Sequence, residues 1–210
     1  MVYYFWAVAQ LKSTYSPAPE IPVNVSVPSG NYGNLTAGLL AKRMGLGIDH
    51  FIAAANANNS FPNYLTTGSY SPKPSIATLS NAMDVGAPSN VRRIDALYDS
   101  DPKRIAHDVH SGSFSNQDCL QTIDYVYNTY RYILDPHGAI GYKALSLAPE
   151  HGISIFLETA HPIKFKEVVE AVIPDQVTLP SHVEGNLNEE FILSLNKDYS
   201  TFKEYLISSR

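Results

Sequence analysis

Cysteine is almost absent from this chain. Cys119 is the single thiol in 210 residues, so no internal disulfide can form and a cysteine-built zinc cage is excluded. That usage fits a reducing, cytoplasmic compartment. Positive charge is also sparse: 15 Lys and Arg against 20 Asp and Glu leave a net charge of -5. No basic cluster offers an electrostatic footprint for nucleic acid or an anionic membrane, and neither is expected as a partner. Long apolar runs are missing as well. The opening MVYYFWAVAQL is shorter than the roughly 20 residues a spanning helix needs and lacks the basic flank of a signal peptide. It reads as a core helix with no N-cap before it, which is expected of a piece of something longer. Charged residues are only 17% of the chain against 44% hydrophobic, a balance suited to a buried sheet and not to disorder.

What is present is an α/β pattern. VNVSV alternates Val23, Val25 and Val27 on one face and stops at Pro28-Ser29-Gly30, a strand with a turn behind it. Leu35, Leu39, Leu40 and Met44 then fall at helical spacing before Gly45 and Gly47. HFIAAANAN follows as a buried strand, completing a βαβ unit whose strands should be parallel. Residues 57–90 are rich in Asn, Ser, Pro and Gly, and are expected to form partial helices and ligand-facing loops. Helices are expected over 91–98, 116–134, 137–148 and 161–173, and a strand over 153–159. The predicted fold is a largely parallel sheet flanked by helices. A domain over 1–175 would be followed by a C-terminal extension, 176–210, packing on it.

Several residues are candidates for chemistry. The turn SGNYGN lies between a strand and a helix start, where free backbone N–H groups and the helix dipole favour an anion. Gly30 and Gly33 permit close approach, and Asn34 or Thr36 is placed to cap the helix. The pattern is neither a P-loop nor the dinucleotide fingerprint, so a tight βα turn and a phosphate cradle both remain open. HDVH sets His107 and His110 at i, i+3, where a helix would present both to a metal, but no third ligand has suitable spacing; surface histidines are the alternative and no metal is expected. Cys119 has no activating neighbour and reads as a packing residue. Between Thr78 and Asn90, the polar groups of Ser80, Asn81, Asp84, Ser89 and Asn90 either line a substrate or satisfy one another.

The stretches VPSGNYGNLTAGLLAKRMGL, FIAAANANNSFPNYLTTGSY, PSIATLSNAMDVGAPSNVRR, YILDPHGAIGYKAL and LETAHPIKFKE together resemble threonine synthase, a fold type II enzyme dependent on pyridoxal 5′-phosphate (PLP). The resemblance runs over essentially the whole chain, and G-N-[FY]-G-N is a specific motif of that family. It implies the large domain of a tryptophan synthase beta-like fold. It also implies that Gly30, Asn31, Tyr32, Gly33 and Asn34, with Ser29 beside them, cradle the coenzyme phosphate, while Thr159 offers its hydroxyl to the pyridine nitrogen. Ser80, Asn81 and Asp84 would line the substrate side.

The same resemblance implies a departure. The family's Schiff-base lysine lies upstream of the phosphate loop, and none of the nine lysines here sits in such a motif. No catalytic residue is therefore assigned in this chain, which is expected to be a C-terminal portion, inactive without the other half. The implied reaction of the complete enzyme takes O-phospho-L-homoserine and water to L-threonine and phosphate. Two alternatives stay open: a related phospho-lyase acting on another γ-phosphorylated substrate, and a non-catalytic phospho-metabolite-binding domain.

Overall fold

Alternation in VNVSV turns Val23, Val25 and Val27 to one side of a strand and Asn24 and Ser26 to the other, and both sides are covered. In the computed structural model every residue of this strand, β1 (Val23–Pro28), is buried. Residues 1–15, 21–180 and 194–208 are described. Met1–Val177 forms one compact unit and Thr178–Arg210 a second.

In the first unit, α1 (Val2–Thr14) precedes β1, then come α2 (Gly33–Arg43), β2 (His50–Ala55), α3 (Ser60–Thr67) and a 3-10 turn, Asn81–Met83. Next are α4 (Val91–Leu97), α5 (Pro102–Asp108), β3 (Val109–Ser113), α6 (Asn116–Tyr130) and α7 (Pro136–Lys143). A 3-10 turn at Ala144–Leu147 leads to β4 (Ile153–Phe156), a further 3-10 turn at Pro162–Phe165 and α8 (Lys166–Glu170). The second unit contains α9 (Tyr199–Ser208), the amphipathic end YSTFKEYLI.

The sheet is parallel throughout, in the order β3-β2-β1-β4. Val25 pairs with Phe51 on one side and Ile155 on the other. One face buries Val23, Val25, Val27, Phe51 and Ala53 against Tyr4, Val8, Leu35 and Leu39. The opposite face buries Ile52 and Ala54 with Cys119, Ile123, Val126, Leu134, Ala139 and Ile140.

The structure corrects several expectations. The helix 161–173 breaks into a 3-10 turn and a short α-helix, because Pro162 starts one turn and Phe165 leaves helical geometry at φ -129°. The strand 153–159 stops at Phe156, where pairing to β1 ends. The helix 116–134 stops at Tyr130, where Arg131 turns left-handed at φ 58°. α1 is not a core helix: only Tyr4 and Val8 are buried, and Tyr3 and Trp6 are 85% and 65% exposed. Its apolar residues run all round the helix, so a single neighbour covers one stripe and leaves the rest bare.

Candidate active site

β1 is where the strand order reverses. The chain builds outward from β1 to β2 and β3, then returns to place β4 on the other side of β1. In open parallel sheets this makes a crevice beyond the carboxyl ends of the two strands that part company. β1 leaves the sheet there through Gly30 to Asn34 into α2, and β4 leaves beside it through Leu157 and Glu158 to Thr159.

The start of α2 is bare. Asp101, Ser115 and Asp135 cap α5, α6 and α7 with side-chain oxygens, but no described side chain caps α2. Thr36 does not serve, since its hydroxyl donates to the Tyr32 carbonyl at 2.7 Å. Nor does Asn34, whose Oδ1 accepts from the Tyr4 hydroxyl at 2.9 Å. The first N–H groups of α2 are thus left for water or an anion. Tyr32 precedes them in the left-handed region, φ 58°, which a buried aromatic ring holds by packing 4.5 Å from Phe61. Gly33 is exposed, and a Cβ there would meet only the Asn90 amide nitrogen at 3.4 Å. Gly30 differs: its Cβ would lie 2.6 Å from Met83 Cα and 3.1 Å from the Ala82 carbonyl. Backbone thus touches backbone between the turn and the 81–83 segment.

Asn31 ties the turn to the start of α4. Its Oδ1 accepts from Ser89 N–H at 2.6 Å and the Ser89 hydroxyl at 3.1 Å, and its carbonyl accepts from Asn90 Nδ2 at 2.9 Å. Ser29 is buried, its hydroxyl given to the Val27 carbonyl and its N–H to Ala54. Asp84 Oδ1 accepts from Asn56, Asn58 and Thr78, and Oδ2 from Thr78 N–H. Ser80 joins the same knot through Asn56. Ser80 and Asp84 are thus both held in this knot through Asn56 and Thr78. Asn81 instead lines a cavity of about 450 Å³ with Thr78, Lys164, Phe165 and Lys166. Thr159 is exposed, and no described residue bonds its hydroxyl.

A buried acid–histidine pair escaped sequence reasoning. Asp135 Oδ1 lies 2.5 Å from His137 Nδ1 and accepts the His137 N–H at 2.8 Å, while Oδ2 accepts from Gly138 N–H at 3.3 Å. Burial raises an acid, but the hydrogen bonds from His137 and Glu158 outweigh it and hold Asp135 below the usual carboxylate range. Glu158 goes the other way. It is exposed overall, yet its carboxyl closes over Gly138, and desolvation followed by the neighbouring Asp135 pushes its pKa up to about 9. Between about pH 4.5 and about 9 the folded protein holds a proton on Glu158 that the unfolded chain releases. Stability therefore falls as pH rises through that window. Thermal melts at pH 5, 7 and 9 should show the decline, and Glu158→Gln should flatten it.

The remaining candidates lie on separate elements or are buried. His107 lies at the end of α5 and His110 on β3, so HDVH straddles two elements and does not present both rings on one helix face. Cys119 is buried, and burial with nearby Asp135 pushes its thiol up to about 12. No group of His, Cys, Asp and Glu among the described residues is arranged to hold a metal. No described helix is long and apolar enough to cross a membrane.

Residues 138–205 match the family model described as threonine synthase, C-terminal. The chain is 43% identical to threonine synthase from Haemophilus influenzae over 99% of its own length and 48% of that protein. It is similar to the crystal structure of threonine synthase from Escherichia coli, with a TM-score of 0.79 and 38% identity over 99% of this chain and 48% of the other. PLP-bound threonine synthase from Brucella melitensis matches with a TM-score of 0.79 and 30% identity, over 87% of this chain and 44% of that one. Maize serine racemase, at 16% identity and a TM-score of 0.51, shares the fold. The parallel sheet and its flanking helices are the fold of type II PLP-dependent enzymes. Within that class, the chain is similar to threonine synthases over essentially its whole length. It spans about half the length of the curated relatives it matches.

Proposed function

We propose that this chain is the coenzyme-phosphate half of a threonine synthase, and that the complete protein converts O-phospho-L-homoserine and water to L-threonine and phosphate. The observation that carries this reading is the uncapped start of α2 at the point where the strand order reverses, inside a stretch similar to threonine synthases over its whole length. The donor set suits a phosphate dianion, with backbone N–H groups at the positive end of an 11-residue helix beside an exposed Gly33.

When bound, PLP supplies an electron sink for carbanionic substrate carbons. The chain's own residues then have distinct tasks. The N–H groups at Gly33 and Asn34 hold the phosphate, Gly30 and Tyr32 shape the turn, and Asn31 keeps it against α4. Thr159 orients the ring through a neutral hydroxyl, which leaves the pyridine nitrogen less firmly protonated than a carboxylate would. Asn81 faces the substrate cavity, while Ser80 and Asp84 hold that wall in shape. In this reading residues 1–175 are the coenzyme-binding domain and 176–210 its extension, acting in the cytoplasm.

The proton-transferring lysine is assigned to the other half of the enzyme, which sets the test. This chain alone should release no phosphate from O-phospho-L-homoserine, and the chain joined to the lysine-bearing half should form threonine. Turnover by the chain alone would overturn the division of labour. In the joined enzyme, Thr159→Val should keep the thermal midpoint of the coenzyme-free protein, because the hydroxyl is exposed and unbonded among the described residues. It should weaken PLP binding by about 0.5–1.5 kcal/mol, the net value of one neutral hydrogen bond.

A further inference from the structure

His137 stands where three segments meet. Its ring packs 4.7 Å from Phe165, its Nδ1 faces Asp135, and its Nε2 accepts the N–H of Ala82 at 3.2 Å across 55 residues of sequence. Accepting from Ala82 requires a lone pair on Nε2, so the ring proton sits on Nδ1 and is donated to Asp135. Asp135 has no exposed surface and His137 is 3% exposed, so water offers no substitute for either bond. Ala82, held by its N–H, continues directly into the floor under Gly30, where the Ala82 carbonyl and Met83 Cα are among the nearest atoms a side chain at Gly30 would meet.

We infer that His137, oriented by Asp135, is a positioning residue for the phosphate cradle, fixing the 81–83 turn through the Ala82 N–H and so the backbone of Gly30 to Asn34. The inference rests on the reading of that turn as the PLP phosphate site. Met83 and Gly30 are packed backbone to backbone, so a shift of the 81–83 turn moves the cradle with it, and anion donors lose strength steeply when misaligned.

Two variants separate the Ala82 bond from the rest of the histidine's packing. His137→Gln keeps an acceptor within reach of Ala82, and His137→Leu does not; both lose the ring N–H to Asp135. PLP binding by the 210-residue chain, followed by equilibrium dialysis, should weaken at least tenfold in His137→Leu and stay within about threefold in His137→Gln. Amide exchange at Ala82 should quicken only in the leucine variant. Equal binding by both variants would overturn the inference while leaving the site reading intact, whereas failure of the wild-type chain to bind PLP would overturn the site reading itself. Should His137→Leu not fold, the wild-type ring decides: nitrogen-15 correlation spectra showing the proton on Nδ1 support the inference, and a proton on Nε2 overturns it.

Discussion

Gly30→Val is expected to melt far below the wild-type chain, while Gly33→Val melts with it and loses the anion. The two glycines stand three residues apart in one turn, and their surroundings are opposite. A side chain at Gly30 would enter at 2.6 Å from Met83 Cα and 3.1 Å from the Ala82 carbonyl. Those are backbone atoms anchored by the His137 acceptor, so neither side can move aside cheaply. Overpacking of this kind costs about 1–3 kcal/mol or more, and displacement of the turn should also abolish PLP binding. A side chain at Gly33 meets only the end of Asn90 at 3.4 Å, so folding is spared, but a branched group then stands over the free N–H groups of α2. Thermal melts paired with PLP titrations distinguish the two. If Gly33→Val binds PLP as tightly as wild type, the anion does not sit there.

Asp135→Ala should be the most damaging single change in the buried network. The substitution removes the N-cap of α7 and leaves the His137 N–H, the His137 ring N–H and the Gly138 N–H without their acceptor. Breaking a buried pair by deleting one partner costs about 3–5 kcal/mol. For a unit of this size the midpoint should fall by on the order of 10 °C. Asp135→Asn keeps the shape and one acceptor, so it should recover part of the loss. A fall of only a degree or two in the alanine variant would mean that the pair contributes little and that α7 is held by its packing alone.

The sheet was legible wherever burial leaves a mark on sequence. VNVSV and HFIAAA show it because both are covered on two faces, and the Gly-rich turn shows it because its glycines face backbone or open space. β3 was not legible. VHSGS has no alternating apolar residues, and it is a strand only because its backbone pairs with β2 from Phe51–Val109 to Ala55–Ser113. α5 carries a start signal in Asp101-Pro102, but its exposed polar residues show no periodicity. Missing both put His107 and His110 on one helix. At the site, Asp-Pro-His marks a capped helix start at Asp135, a readable sign, but nothing local says that the histidine reaches Ala82. The self-satisfied knot of Asn56, Asn58, Thr78, Ser80 and Asp84 was equally hidden, since its members are brought together only by the path of the chain across the end of β2.

On the function proposed above, the backbone at the start of α2 holds the phosphate of PLP. An amide chemical-shift titration of the 210-residue chain with PLP tests it most directly. The largest shifts should fall on the N–H groups of Gly33 and Asn34, inorganic phosphate should reproduce them at higher concentration, and Gly33→Val should abolish them. Saturable binding with the Gly30 to Asn34 amides unmoved, or shifts centred on another part of the sheet, would contradict it.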